Sequence, residues 1–299
     1  MNPEVHVPGW EWYYVAMYFF VGGVSAGAYF IGSLAELFGG ERYRSLSRTA
    51  YYVAFPLILL TPPLLILDLG RPVRFWHLLL DANSGLPYLN VQSPLSVGSW
   101  ALLLFGAMSF LSFLDNLVSE GRLKGAPWAH LYSGWPRKVY AAVGSVAGFF
   151  VAGYTGVVLN VTARPLWVAT DPLVGALFIA SAASTGAAAI ALADAWRRGV
   201  PEVPRAAVDR FDRIVKGLEL VLAIAVVAVA GKYAAPLLSG VYALAYWGGA
   251  VALGIVLPLA WAWGAAPVRA AAGTRLIPVL VLVGGALLRI ALVQAGQVQ

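Results

Sequence analysis

"TAYYVAFPLILLTPPLLILDLGRPVRFWHLL", Thr49 to Leu79, stays apolar as far as Leu67 and then changes character within a few positions. A membrane-crossing helix needs about 20 largely apolar residues, so the first part reads as a span. Beyond Leu67, Asp68, Arg71, Arg74 and His77 stand beside Phe75 and Trp76, a polar and aromatic cluster where the span leaves the hydrocarbon.

The rest of the chain repeats the apolar theme. Hydrophobic residues make up 60%, charged residues 11%, and the mean hydropathy is +0.76. Soluble domains run near 45–50% apolar and about 25% charged, so an all-α integral membrane protein is indicated. Eight spans are expected: Trp12–Leu37, Thr49–Leu67, Pro94–Leu114, Val139–Ala163, Pro172–Ala193, Ile214–Leu238, Gly240–Trp263 and Leu276–Ala295. The first ten residues, "MNPEVHVPGW", hold an acid and no basic cluster, which is not the pattern of a secretory signal.

The basic residues set an orientation. Fifteen of the 20 Lys and Arg residues fall in the loops after the first, third, fifth and seventh spans. Loops rich in Lys and Arg stay on the cytoplasmic side, so both termini and the Asp68–His77 cluster are expected on the outer face of the inner membrane. The net charge of +6 is thereby a topology signal and not a nucleic-acid footprint. With no cysteine and only His6, His77 and His130, none within an apolar run, neither an iron–sulfur cluster nor a haem is expected, and no metal site.

Several polar groups stand out. Asp68 and Arg71 are close enough in sequence to pair. Gly70 and Pro72 suit a helix end, so the cluster reads either as a locked helix stop or as a segment that docks a partner and shapes a pocket. Ser93 before Pro94 is a helix start. Tyr14 and Tyr18 share a helix face, and Trp10, Trp12 and Tyr13 form an aromatic belt with Tyr14. Tyr154 fits either a belt tyrosine or a donor to a ligand, and Asn160 sits deep for a free amide. Glu36, Asp194, Glu219 and Arg289 are candidates for a proton path, although all four lie near expected helix ends, where snorkelling costs little. The small-residue runs "GGVSAGAYF" and "SAASTGAAA" in the first and fifth spans fit a duplication of two four-helix halves, or simply close helix crossings; Gly23 and Gly27 make a GxxxG pair.

"FFVGGVSAGAYFIGSL", "LDLGRPVRFWHLL", "SPLSVGSWALLLFG", "YTGVVLN" with "PLW", and "SAASTGAA", in that order, resemble the NrfD/polysulfide-reductase membrane-subunit family. The resemblance implies two four-helix bundles, 1–165 with the outer-face site and 166–299. It implies a bound quinone (menaquinone or ubiquinone) with no haem or cluster in this chain. The partners implied are a ferredoxin-like iron–sulfur subunit and a molybdopterin catalytic subunit on the outer face. By the same resemblance the quinone ligands are Tyr18 and Tyr154, with Tyr14 and Trp76 nearby, while Asp68, Arg71, Arg74 and His77 dock the partner or shape the pocket. One family member has a histidine where this chain has Tyr18; a phenol can also donate to a quinone carbonyl. A quinone suits such a rim, with an apolar tail in lipid and a head group needing a few placed donors. A secondary transporter, which needs polar groups at the midplane, and a passive membrane anchor are the rival readings.

Overall fold

A computed structural model describes residues 12–69, 71–123, 134–196, 205–263 and 266–298. His6, Trp10, Gly70, Lys124, His130, Arg197 and Arg198 lie outside them, as do the side chains of Trp12, Tyr13, Arg205 and Arg269. Among the described residues there is no β-strand, and eight helices are long and apolar enough to cross a membrane. Spans 1 to 8 are Tyr14–Phe38, Glu41–Asp68, Pro94–Ser119, Trp135–Asn160, Leu173–Asp194, Ala206–Leu238, Gly240–Ala262 and Arg275–Ala295. Consecutive spans run in opposite directions. Asp68 therefore marks one end of the helices, and Arg44, Arg48, Arg122, Arg137 and Arg213 gather at the other, basic end.

Span 1 occupies the centre of the first four helices. It packs against spans 2 and 4, and span 3 closes across both of those. Span 5 packs against spans 1, 4, 6 and 8, and span 7 lies mainly against span 8. Helices in lipid gain nothing from hiding apolar surface from each other, so small residues that let backbones touch supply the packing. A Cβ on Gly27 would collide with the backbone carbonyl of Ala182, and one on Gly186 with the backbone of Gly27. The two small-residue runs thus meet each other along the contact of spans 1 and 5.

Span 2 stays helical through Pro56, Pro62 and Pro63. Pro62 cannot donate to the carbonyl of Ile58 four residues back, and the Thr61 hydroxyl donates there instead at 2.7 Å. Span 3 starts as expected: the Ser93 side chain caps the Ser96 N–H, and Pro94 takes the first helical position. Span 6 begins eight residues earlier than the sequence pattern suggests. Its first turns are amphipathic, burying Val208 while Arg210 stays exposed. Four stretches of the spans depart from α geometry: Trp12–Ala16 entering span 1 and Leu244–Val256 within span 7 are π-helical, and Glu41–Tyr43 opening span 2 and Gly231–Ala234 within span 6 are 3₁₀.

Two connections at the Asp68 end have structure of their own. Pro72–Leu78 forms a 3₁₀ helix, followed by a loop bridged between Leu80 and Pro87. The Ser96 hydroxyl ties this loop down, donating to Leu78 O at 3.0 Å and accepting from Asn90 N at 3.2 Å. Between spans 4 and 5 lies a short helix, Pro165–Ala169, whose Trp167 donates to Leu292 O at 2.9 Å and so holds the end of span 8.

Candidate functional site

At the Asp68 end the first four spans diverge around a pocket of about 170 Å³. For scale, a dry apolar cavity of about 150 Å³ accepts benzene, so the space suits a small aromatic ring. Span 1 supplies Val15, Tyr18 and Phe19; span 2 supplies Leu65 and Asp68, with Leu69 just past its end; span 3 supplies Leu95, Gly98 and Ser99; span 4 supplies Tyr154 and Val158. Leu95 is at once a pocket wall and a largely exposed side chain, so the pocket reaches the outside of the helices beside span 3.

The pocket's polar groups are few and differently committed. Tyr18 is buried, and its hydroxyl has no protein hydrogen-bond partner among the described residues. Tyr154 is also buried, but its hydroxyl donates to the carbonyl of Pro94, and its ring stacks on Phe150 with centroids 5.7 Å apart. This placement depends on Gly98: any Cβ there would occupy the space of the Tyr154 ring. Ser99 spends its hydroxyl on Leu95 O at 2.8 Å. Asp68 presents a half-buried carboxylate at the rim. Chemically this is a mostly apolar pocket with one available phenol and one carboxylate. It can seat a ring bearing oxygens and exchange a proton with it.

The structure brings together Tyr18, Tyr154 and Asp68 among the residues singled out from the sequence. Tyr14 is half-buried and does not line the pocket. Arg71, Arg74 and His77 are exposed on the 3₁₀ ledge, where Trp76 meets the His77 ring edge-on at 3.9 Å between centroids. With Val73, Phe75 and Tyr88 also exposed, that ledge is a cationic and aromatic surface next to the pocket mouth. Asn160 is no lone amide, since its Nδ2 donates to Asp171 at 2.6 Å.

The charged candidates part company. Glu36 pairs with Arg137 at 2.9 Å, and Arg137 also bridges at 2.9 Å to Asp115, a span 3 carboxylate only 1% exposed. Beside them the Tyr29 hydroxyl meets Ser112 at 2.8 Å and donates to Tyr140 O at 3.0 Å. Asp194 stays at the basic end of span 5. Glu219 is not at a helix end, and Arg289, six residues before the end of span 8, turns inward instead of snorkelling: they are 4% and 1% exposed, with Lys216 equally buried and paired to Asp212. The early start of span 6 is what moves Glu219 inward. Sequence reasoning misses Asp115 although it interrupts an apolar stretch; Lys216 reads there as a basic residue of the loop, within or beside the sixth span, and Gly98 gives no local signal.

Two comparisons with known proteins bear on this geometry. Residues 4–299 match a family model described as "Polysulphide reductase, NrfD". The chain is 24% identical over 92 residues to a selenate reductase subunit of Mesobacillus selenatarsenatis. That stretch is 31% of this chain, and the chain spans under a fifth of that relative, 19% of its length.

Proposed function

The chain belongs to the NrfD polysulphide reductase family, and from that premise we propose that it is the quinone-binding membrane subunit of a respiratory reductase complex. It exchanges electrons between a menaquinol or ubiquinol and a ferredoxin-like iron–sulfur subunit that serves a molybdopterin catalytic subunit. The observation that carries this reading is the slot at the Asp68 end, where a free phenol and a carboxylate converge between apolar walls.

A quinol has a flat head group with two hydroxyls and an apolar tail. The head fits between Tyr154 and the Phe19 wall, and the tail leaves beside Leu95 into lipid. Tyr18 donates to one quinone oxygen. Oxidation of a quinol releases two electrons and two protons. Asp68 accepts each proton in turn at the rim and passes it to bulk water before taking the next, and the iron–sulfur subunit would supply the acceptor for the two electrons. In quinone reduction the same groups return the protons.

The orientation rests on the basic end. With its arginines on the cytoplasmic side of the inner membrane, the pocket and both termini face outward. The ledge of Arg71, Arg74, Phe75, Trp76 and His77 then forms the surface on which the iron–sulfur subunit docks. Spans 1–4 and spans 5–8 are two four-helix bundles meeting along spans 1 and 5.

The test is quinol-driven reduction of the partner's clusters, followed by their optical bleaching in purified complex. Tyr18→Phe is expected to slow it several-fold, because one hydrogen bond to the head group is worth about 0.5–1.5 kcal/mol. Cluster reduction that proceeds equally fast in Tyr18→Phe and Asp68→Asn complexes would reduce the chain to a passive anchor.

A further inference from the structure

We propose that Arg289, in the last span, is a positioning residue for the pocket, fixing the turn of span 1 that presents Tyr18. The inference rests on the quinone reading of that pocket. Every wall of the pocket belongs to spans 1–4 or the residue just past span 2, yet one wall is held from outside that group.

Arg289 spans the gap with all three guanidinium nitrogens. Its Nε donates to Phe19 O at 3.2 Å, Nη1 to Ser181 Oγ at 3.0 Å and Gly285 O at 2.9 Å, and Nη2 reaches Phe178 O at 3.5 Å. The guanidinium carbon lies 5.2 Å from the Phe178 ring centroid and 5.9 Å from that of Phe20. Ser181 passes the charge on: its hydroxyl is also hydrogen-bonded to Glu219, whose buried carboxylate answers the guanidinium. A charge within a membrane span needs such a partner.

The seat is built for this side chain. A Cβ on Gly23 would stand 2.8 Å from Nη2, too close to coexist with it. The GxxxG pair therefore divides its work: Gly27 serves the approach of span 5, and Gly23 makes room for the arginine.

Phe19 is where the tether matters. Its side chain lines the pocket and its ring lies 5.4 Å from that of Tyr18. Just before it the helix passes from π to α geometry at Met17. The hydrogen-bond register changes there from i+5 to i+4, and the guanidinium gives this turn a donor from outside its own helix. Misplacing a binding group by about 1 Å is enough to weaken a site greatly.

The experiment uses the purified complex and a water-soluble naphthoquinol. Arg289→Lys keeps the charge but cannot reach Phe19 and Ser181 together. It is expected to raise KM roughly tenfold, the loss of one charged hydrogen bond, with kcat held within about twofold. Gly23→Ala, which keeps Arg289 in the sequence but crowds its guanidinium, should shift KM the same way in a complex that still assembles. Wild-type KM in both variants overturns the proposal, as does a fall in kcat alone. If neither variant accumulates, Ser181→Ala decides: a rise of roughly threefold supports the tether and no rise refutes it. A wild-type complex that neither binds nor oxidises the naphthoquinol refutes the quinone reading itself; an active one with unshifted variants refutes only the tether.

Discussion

Gly98→Ala should damage the pocket from a position that carries no functional group. The added methyl would stand 2.3 Å from two atoms of the Tyr154 ring, so the ring must move. Overpacking of this kind costs roughly 1–3 kcal/mol. The displaced phenol also loses its bond to the Pro94 carbonyl, worth about 1 kcal/mol. If the ring swings into the slot, a naphthoquinone analogue should bind roughly 10–100-fold more weakly. Equilibrium titration of the purified protein, read by tryptophan fluorescence, measures this directly. Gly106→Ala is the internal control: it lies on the same helix, its Cβ would meet nothing within 4 Å, and alanine favours a helix over glycine. Binding unchanged in folded Gly98→Ala protein would show that the Tyr154 ring does not border the ligand.

Other consequences can be checked separately. Tyr154→Phe frees the Pro94 carbonyl but keeps the ring wall, so analogue binding should weaken by no more than about threefold, the effect of one neutral hydrogen bond; a far larger loss would mean that the phenol itself serves the ligand. Arg137→Gln strands Glu36 and Asp115 together. A broken buried pair costs about 3–5 kcal/mol, so the melting temperature in detergent should fall sharply and partly recover in Arg137→Gln/Asp115→Asn. Ser96→Ala unties the ledge from span 3; it should weaken co-purification of the proposed iron–sulfur partner while analogue affinity stays within about twofold, since Ser96 does not line the pocket. Gly27→Leu forces a side chain into the Ala182 carbonyl and should abolish accumulation of folded protein, whereas Gly217→Leu, where a Cβ meets nothing within 4 Å, should be tolerated.

Local signals were legible in the sequence, and long-range ones were not. The eight spans follow from long, largely apolar runs, and the Ser93 cap from a serine placed before proline. The polar cluster at the end of span 2 announced itself because charge is costly in an apolar chain. The pocket emerged only in part. Tyr18 and Tyr154 were visible as phenols within apolar runs, but Gly98 is a glycine like many others until Tyr154 is set against it. Asp68 reads from the sequence as part of a helix stop or of a pocket-shaping segment, and which of its neighbours it faces depends on where spans 1 and 3 lie. Glu219 was misplaced for a simple reason. Its helix starts at Arg205, fourteen residues before it, or about 21 Å at 1.5 Å per residue, and the amphipathic opening turns hid that length. The tether from Arg289 to Phe19 joins residues 270 apart, beyond any periodicity.

The most direct test of the account is the stoichiometry and affinity of naphthoquinone binding to the chain purified without its partners. One saturable site is expected, weakened by Tyr18→Phe and by Gly98→Ala, and blind to Arg71→Ala on the ledge. Partition into the detergent without saturation, or a site that ignores both pocket variants, would contradict it.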